Sequence, residues 1–518
     1  MALTANPALR LAEVLGALSL ATDLANGQPS EHALRTAILA VRLAQDEPAD
    51  VRRDVYWAGL LRYLGCSGFA VEEAAYASGD DIGLRVSFIR ADLGRPSEFI
   101  GAVLRDVGRG APPLQRAKGV LRLLSDPHAP RAHALAQCDA AEHCGRKLGM
   151  PAGVLQALAH SDERYDGRGF PGGLAGDALS LPQRYVEIAR VAVVFHALSG
   201  VQAARAELKR RAGGHLDPHI VARFADAAPQ LCAGLEQDSV WDDFLATEPG
   251  LWLLDEDALE PLFEAFALMA DLKSGYFSGH SPGVAALARA AAQAQGLAPE
   301  QVDLLGRAAL LHDLGRVAVS TGLWDKPGPL TAAEWERVRL HSYYTDRVLR
   351  HGPALARYAD IAGRAHERLD GSGYHRGDRD ANMPVRLLAA ADVYQACTEP
   401  RAYRPARDAN GARQVLLEGV AQGRLCRHAV SGVLSAAGQV PARQASTSET
   451  LTDRELEVLR LLVLGLTNKQ IGRQLGISPR TVQHHTIHIY GKTGMKSRAG
   501  AALWAVERGL LRDAADRR

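Results

Sequence analysis

The sequence predicts an all-α protein made of two related helical domains and a small C-terminal helical module. Apolar residues recur at spacings of three and four, as in residues 11–24, 286–297 and 454–466, which is the period of a helix with one buried face. Few stretches alternate with period two, so strands are not expected. Several segments of the first half also recur, in the same order, in the second half, which indicates an internal duplication.

Length and composition fit a soluble protein with several cores. At roughly 150 residues per domain, 518 residues predict three or four domains. Hydrophobic residues make up 47% and charged residues 23%, which excludes a disordered polymer and a membrane-saturated chain. The six cysteines are scattered without paired motifs, as in a reducing compartment. Because no run of 18 apolar residues is present, we expect a cytoplasmic protein without a membrane partner.

The duplication defines the two large domains. We assign residues 1–230 to the first copy and residues 231–437 to the second. The matching segments are 27–35 with 275–284, 58–65 with 308–315, 162–173 with 366–377, and 181–190 with 383–392.

The second copy carries an ordered series of histidines and aspartates. The series is His280, His312, Asp313, His341, His366 and Asp392. Any one of these histidines alone is better explained as a core residue, but six such residues in series favour a metal site. Mixed imidazole and carboxylate ligation suits a divalent transition metal such as Fe, Mn or Zn, and one aspartate can bridge two ions. We therefore expect one or two ions that activate water for hydrolysis of a phosphate ester.

Residues 310–341 of the second copy resemble the HD superfamily of metal-dependent phosphohydrolases, specifically the HD-GYP branch, and the resemblance extends over residues 265–437. It implies an HD-type helical fold and hydrolysis of cyclic di-GMP. By position, the resemblance implies catalytic roles for Asp313, which would bridge two ions, and for Arg316, which would assist the phosphate. The implied ligands of the first ion are His280, His312, Asp313 and Asp392, and those of the second include His341 and His366.

The second copy also departs from this pattern at three places. Ala365 occupies the position of the first of two adjacent histidines, Arg316 replaces the usual lysine, and the Gly-Tyr-Pro motif ends in His375. Arginine can still hold phosphate, and in a bidentate manner. The lost imidazole weakens the second ion unless His375, His351 or water substitutes. The sequence thus predicts metal binding and leaves turnover open.

The first copy has lost the metal-binding chemistry. Its His32 is retained, but Arg62 and Tyr63 replace the His-Asp pair and Arg190 replaces the last aspartate. An arginine at the position of a metal ion excludes that ion electrostatically. Two alternatives remain for this copy, a structural partner of the second copy and a pocket retained for sensing.

A linker at residues 438–450 separates the two copies from a basic tail. This segment lacks periodicity and is rich in small polar residues. Residues 449–518 contain 12 basic and 7 acidic residues, a net charge of +5, whereas the whole chain has a net charge of +1. The rest of the chain therefore has a net charge of −4. We expect any affinity for nucleic acid to lie in the tail.

The tail, residues 451–518, shows the start signals of short helices. Thr452 with Glu455 and Thr467 with Gln470 form capping boxes, and Ser478 caps a third helix. The segment resembles the LuxR-type helix-turn-helix, which implies four short helices, double-stranded DNA as partner and a homodimer on a palindromic site. The resemblance places Gln483, His484 and Ile487 at the bases and Lys469, Arg480 and Lys492 at phosphates.

Three hypotheses follow. In the first, the protein is a DNA-binding transcription regulator whose paired HD domains form a metal-binding, phosphohydrolase-like input module that senses or hydrolyses a cyclic dinucleotide or another phosphoester. In the second, it is an active cyclic di-GMP phosphodiesterase with DNA binding secondary. In the third, which ranks lowest, both HD copies are scaffolds that only dimerise, and neither metal nor nucleotide binds.

Overall fold

The computed structural model describes residues 9–109, 111–438 and 451–511. Residues 439–450 of the predicted linker and residues 512–518 of the tail lie outside this described part. Within it the chain forms 25 α-helices and one antiparallel pair of two-residue strands, so the all-α prediction is confirmed. The chain divides into two compact units. One runs to Leu262 and includes Gly352–Ala354, and the other comprises Phe263–His351 and the chain from Leu355 onward.

The first unit contains twelve of these helices, and strand β1 (Leu9–Arg10) pairs with β2 (Leu253–Leu254). The helices are α1 (Leu11–Ala25), α2 (His32–Leu43), α3 (Ala49–Leu61), α4 (Ala70–Tyr76), α5 (Asp81–Arg90), α6 (Pro96–Asp106), α7 (Pro113–Leu124), α8 (Ala129–Lys147), α9 (Ala152–Ala159), α10 (Leu181–Arg211), α11 (Pro218–Cys232) and α12 (Trp241–Thr247). The boundary between the copies that we set at residue 230 stays a prediction, since α12 and β2 also pack in this unit.

The second unit contains the second copy and the C-terminal module. Its helices are α13 (Leu259–Asp271), which starts at the unit boundary, α14 (His280–Ala294), α15 (Pro299–Leu311), α16 (Thr321–Trp324), α17 (Ala332–His351), α18 (Ala356–Ala362), α19 (Met383–Thr398), α20 (Ala409–Ala421), α21 (Arg427–Ala437), α22 (Asp453–Val463), α23 (Asn468–Leu475), α24 (Pro479–Thr493) and α25 (Arg498–Glu507).

The duplication is visible in local geometry. Helices α2 and α14 begin at His32 and His280, the two histidines that the repeat aligned. In each copy a buried aspartate from the preceding helix accepts hydrogen bonds from backbone N–H groups at this start. Asp23 accepts from His32 at 2.9 Å, and Asp271 accepts from Ser281 at 3.0 Å. A carboxylate here satisfies donors that the first helical turn leaves unpaired, so the histidine is held at a fixed end of the helix.

The first copy contains an insertion that the sequence did not reveal. Helices α4–α7 lie between the 3-10 turn Cys66–Phe69 and α8, whereas the corresponding stretch of the second copy has only the four-residue α16. The inserted helices bury their own apolar cluster, which includes Tyr76, Leu84 and Val103. In the first copy, the inserted helices therefore cover the place that corresponds to the metal ligands of the second copy.

Helix α10 is the one described helix that is long and apolar enough to cross a membrane. Its most apolar window has a mean hydropathy of 1.3, and half of that window is buried inside the fold. The helix packs against α2 and α11 and corresponds to α19 of the second copy, which gives its apolar surface a packing role.

The C-terminal module has the predicted helix starts. Both capping boxes are formed, at Thr452 and at Thr467, and Ser478 caps α24. Gly476 ends α23 in the left-handed region at φ +67°, a conformation that favours glycine and turns the chain into α24. The four helices bury one apolar cluster, in which Val482 and Ile489 anchor α24. The opposite side of α24 is left in solvent.

Candidate functional site

Four helices and one loop of the second copy bring the six predicted ligands together. His280 is the first residue of α14, His312 and Asp313 follow the end of α15, His341 lies in α17, Asp392 lies in α19, and His366 lies in the loop after α18. All six are buried, with 0% to 7% of their surface exposed. Residues separated by as many as 112 positions thus share one site.

The first group of ligands consists of His280, His312, Asp313 and Asp392, whose coordinating atoms lie within 4.8 Å of one another. The Nε2 atom of His312 is 2.8 Å from Oδ2 of Asp313. The Nε2 atom of His280 is 3.4 Å from the same oxygen and 3.3 Å from Oδ1 of Asp392. Two imidazoles and two carboxylates converging at this spacing fit the mixed ligation that divalent transition metals accept.

The second group uses the other oxygen of Asp313. Oδ1 lies 3.3 Å from Nε2 of His341 and 3.5 Å from Nε2 of His366, and the two imidazole nitrogens are 2.9 Å apart. Asp313 therefore offers one carboxylate oxygen to each group. This is the arrangement of a carboxylate that bridges two neighbouring cations.

Hydrogen bonds fix which nitrogen of each imidazole faces the site. Nδ1 of His312 is 2.7 Å from the carbonyl oxygen of Ala309, and Nδ1 of His341 is 2.5 Å from that of Val338. A carbonyl can only accept, so both Nδ1 atoms carry the proton and donate. Each Nε2 is then left with a free lone pair directed into the site, which is the state that a metal ligand requires.

His280 is oriented by a residue that the sequence reasoning missed. Its Nδ1 lies 2.8 Å from Oε2 of Glu399, a half-buried carboxylate just beyond the end of α19. Arg401 donates to the same oxygen at 3.0 Å. Glu399 lies beyond the last residue of α19, in extended backbone, so helical spacing from Asp392 gave no signal for it.

Arg316 lies at the edge of the first group. Its Nη2 is 2.5 Å from Oδ2 of Asp313, and its guanidinium carbon is 4.2 Å from the centre of the Phe277 ring. The Nε and Nη1 atoms are buried without a hydrogen-bond partner in the described structure. These donors match the expected role of Arg316 in holding phosphoryl oxygens, which stays a prediction.

The donor set fits bound metal ions. Nε2 of His312 and Oδ2 of Asp313 are buried atoms that make no hydrogen bond in the described structure, although Arg316 forms an ion pair with that oxygen. A lone pair left unused on the buried Nε2 is costly unless a cation meets it. Burial would raise the pKa of Asp313, but Arg316 and His312 hold it well below its usual range. Burial likewise acts against the ionised form of Asp392, while the adjacent imidazoles of His280 and His312 keep its pKa well below its usual range. Both carboxylates are therefore ionised and able to bind a cation.

The second group has three ligands rather than four. Ala365 is fully buried and supplies no donor. His375 does not replace it, because its ring packs on Tyr343 at 5.8 Å and the residue belongs to neither group of described ligands. His351 also lies outside both groups. The second ion, if bound, would rely on Asp313, His341 and His366 with solvent.

The corresponding place in the first copy holds arginine. Nη2 of Arg62 donates to Asp162 at 3.2 Å, and Arg190 forms a two-bond ion pair with Glu187 at 2.9 and 2.5 Å. No group of three metal-ligating side chains occurs among the described residues of this copy. Guanidinium groups thus supply the positive charge that the second copy would take from a cation.

Helix α24 of the C-terminal module carries five of the six predicted DNA-contacting residues, and α23 carries the sixth, Lys469. Gln483, His484 and Ile487 are exposed, Ile487 at 59%, and Lys469 and Arg480 are exposed as well. Lys492 is also exposed, but its Nζ makes a 2.7 Å ion pair with Glu455, which lies in the capping box of α22. The roles of these six residues at DNA stay predictions, and Lys492 has in addition a partner that ties α24 to α22.

Two protein-family models match the chain. The family described as "HD domain" matches residues 133–220 and 264–426, one segment in each copy. The family described as "Bacterial regulatory proteins, luxR family" matches residues 449–505. The two matches coincide with the duplicated helical fold and with the C-terminal module.

Similar proteins include a "3'3'-cGAMP-specific phosphodiesterase 3" of Vibrio cholerae, 29% identical over 420 residues that cover 79% of this chain and 90% of that protein. A "Cyclic di-GMP phosphodiesterase" of Thermotoga maritima is 31% identical over 153 residues, 29% of this chain and 42% of that protein. A crystal structure of a cyclic GMP-AMP specific phosphodiesterase from V. cholerae superposes with a TM-score of 0.57 at 25% identity and covers 84% of this chain and 99% of that one.

Because Asp313 belongs to both ligand groups, the number of metal ions bound per chain tests whether it bridges them. We expect Asp313→Asn to lose metal from both groups, with more than tenfold weaker binding, because it removes the anionic ligand common to them. His341→Ala should lose only the second ion. Elemental analysis of the purified proteins gives the metal content of each, and His375→Ala, which alters neither group, is the matched control. Wild-type content in Asp313→Asn would contradict the bridging arrangement.

Arg480 tests the DNA-facing side of α24. Because it is an exposed cation near the start of that helix, Arg480→Ala should weaken binding to unrelated duplexes alike. The slope of log affinity against log salt concentration should fall by about one. Gln483→Ala removes no charge and should leave the slope unchanged while altering sequence preference. Fluorescence anisotropy at several salt concentrations measures both, and an unchanged slope in Arg480→Ala would exclude a phosphate contact.

Proposed function

Because the chain contains an HD domain and a C-terminal domain of the luxR family of bacterial regulatory proteins, we propose that it is a DNA-binding transcription regulator controlled by its second HD copy. That copy is a metal-dependent, phosphohydrolase-like input module for a cyclic dinucleotide. The observation that carries the proposal is the presence, in one chain, of two converging ligand groups around Asp313 and an exposed helix α24.

In the proposed input site of the second copy, different residues bind the metal ions and the phosphate. One or two divalent transition-metal ions held by the six ligands would supply Lewis-acid activation of a phosphodiester and of water. Asp313 would hold both ions at a fixed separation. Arg316 would bind phosphoryl oxygens through its free Nε and Nη1 donors, while Phe277 keeps its guanidinium in place. The ring of Tyr374 stacks on His366 at 5.0 Å and offers a flat surface next to the second group.

Substrate class comes from the relatives. The similar proteins are described as phosphodiesterases specific for 3'3'-cGAMP or for cyclic di-GMP. Beside the first ligand group, the buried Nε and Nη1 donors of Arg316 can accept a phosphoryl oxygen of such a ligand as their hydrogen-bond partner. We therefore propose cyclic di-GMP or 3'3'-cGAMP as the ligand class, with a homodimer on a palindromic site and a cytoplasmic setting.

A short segment supports coupling between the input site and the tail. Residues 272–280 run from Leu272, which packs on the apolar cluster of the C-terminal module, to His280. Within this segment, Gly275 lies so close to the module that an added Cβ atom would be 2.5 Å from the carbonyl oxygen of Val463. Phe277, two residues on, contacts Arg316. A change at Arg316 or His280 can therefore reach the DNA-binding module through nine residues.

An alternative is that hydrolysis is the main activity and DNA binding is secondary. The complete first group of four ligands favours this second candidate. The missing imidazole at Ala365 favours the regulator, because two-ion hydrolysis needs the second group as well.

Coupling is tested by measuring DNA affinity of the metal-loaded protein with and without each cyclic dinucleotide. We expect a change of at least fivefold, the range typical of allosteric coupling. Gly275→Ala should abolish the response without altering metal content, because its Cβ displaces the module and touches no ligand. Gly328→Ala, where an added Cβ meets nothing within 4 Å, is the control. A full response in Gly275→Ala would contradict this route.

Turnover separates the two candidates. The test is to incubate the metal-loaded protein with cyclic di-GMP or 3'3'-cGAMP and to measure the linear product by chromatography. The regulator proposal predicts nucleotide binding with turnover that is slow or absent. Rapid turnover that is lost in Asp313→Asn and falls at least tenfold in Arg316→Met would instead establish the phosphodiesterase. Absence of both binding and turnover would contradict both candidates.

A further inference from the structure

The first copy encloses a cavity of about 330 Å³. It lies between the helical core of that copy and the inserted helices α4–α7, at the place where the second copy holds its metal ligands. This volume is at the lower end of the range for small-molecule sites, about 300–1,000 Å³. The cavity opens to solvent near Leu93, which is 44% exposed, and Arg168, whose side chain is 69% exposed.

The two ends of the cavity differ in chemistry. The walls contributed by the insertion are largely apolar and partly aromatic and include Leu84, Phe88 and Phe99, while Glu73 and Arg85 of the insertion, which also line the cavity, form an ion pair with each other. The floor is polar and is made by Arg62, Tyr63, Asp162, Glu187 and Arg190. A ligand that fills it must therefore carry an apolar body and a polar head.

The floor contains buried hydrogen-bond donors that lack an acceptor, and one buried acceptor that lacks a donor, Oδ2 of Asp162. Glu187 is already engaged, because Arg190 donates to both of its oxygens and His215 lies 3.0 Å from Oε1. Nε of Arg62 is 3.7 Å from Glu187 and has no hydrogen-bond partner among the described residues. The hydroxyl of Tyr63, a residue that is 5% exposed, lies next to Arg190, and its O–H donor is likewise buried without an acceptor there.

The unsatisfied buried donors of the cavity floor determine which polar head group of a ligand fits best. Leaving a charged donor without an acceptor costs more than leaving a neutral one, so the head that fits best brings acceptors and negative charge. Two guanidinium groups that share Glu187 reinforce this preference, since each repels the other. Asp162 balances Arg62 through one bond of 3.2 Å. A carboxylate or phosphate can accept from Arg62 and Tyr63 at once.

We propose that this cavity of the first copy binds a small organic anion, with a carboxylate or phosphate held by Arg62 and Tyr63 and an apolar body between the inserted helices. The site is separate from the metal ligands of the second copy and uses none of their residues. It does not depend on the function proposed above. The duplication would then supply two inputs, one that needs a metal ion and one that replaces the ion with arginine.

The test uses the full-length protein and the fluorescent anion 1-anilinonaphthalene-8-sulfonate as probe. Decanoate and GMP compete as carboxylate and phosphate sources, and decanol is the neutral match to decanoate. We expect decanoate, GMP or both to displace the probe and decanol to be at least tenfold weaker. Arg62→Met should weaken anion binding tenfold or more, while Arg105→Met, an exposed arginine outside the cavity, should not change it.

Two further variants guard against a folding defect in Arg62→Met. Tyr63→Phe removes only a hydroxyl without a partner and should weaken anion binding a few-fold with unchanged melting temperature. Ala134→Phe fills the cavity from α8 and should abolish competition. Displacement by decanoate alone or by GMP alone supports the site and identifies its head group. Equal displacement by decanol, or unchanged competition in Tyr63→Phe and Ala134→Phe, would overturn the proposal.

Discussion

The second copy is organised around one fully buried carboxylate, that of Asp313. A buried charge without compensation costs several kcal/mol, so its position is stable only where cationic groups or metal ions meet both oxygens. Arg316 and His312 approach Oδ2, while His341 and His366 approach Oδ1. Helices α14, α15, α17 and α19 have to converge for this to happen. The need to compensate the charge of Asp313 therefore determines both how these helices pack and which side chains form the site.

The first copy shows what the same backbone does when that carboxylate is absent. In both copies a glycine lies very close to the glutamate that follows the His366 position. In the second copy an added Cβ atom at Gly373 would be 2.5 Å from Cα of Glu367, and in the first copy one at Gly169 would be 2.5 Å from Cα of Glu163. The loop geometry is thus preserved. With Tyr63 at the aspartate position, ion pairs between arginine and glutamate replace the metal-ligand groups, and the inserted helices enclose a cavity beside them. Fold is shared by the copies, but chemistry is set by individual side chains.

Part of this could be predicted from the sequence, because helix caps are local patterns and an ordered series of metal-ligating residue types is visible without packing information. The capping boxes of α22 and α23 follow from residue types and spacing, and the series of histidines and aspartates indicated a metal site, while the division of the six ligands into two groups was implied by the resemblance to the HD-GYP branch. The inserted helices α4–α7 were missed because their apolar period is the same as that of the surrounding domain, so no composition break marks them. Glu399 and the ion pair between Lys492 and Glu455 depend on contacts between elements, which a sequence without packing information does not reveal.

The most direct test of the bridging carboxylate is anomalous X-ray diffraction from crystals grown with manganese or iron. The account predicts a strong anomalous peak between His280, His312 and Asp392, on the Oδ2 side of Asp313. A weaker peak is expected on the Oδ1 side, where Ala365 leaves one ligand fewer, and none in the first copy. Absence of a peak beside Asp313, or a peak at the arginine cluster of the first copy, would contradict it.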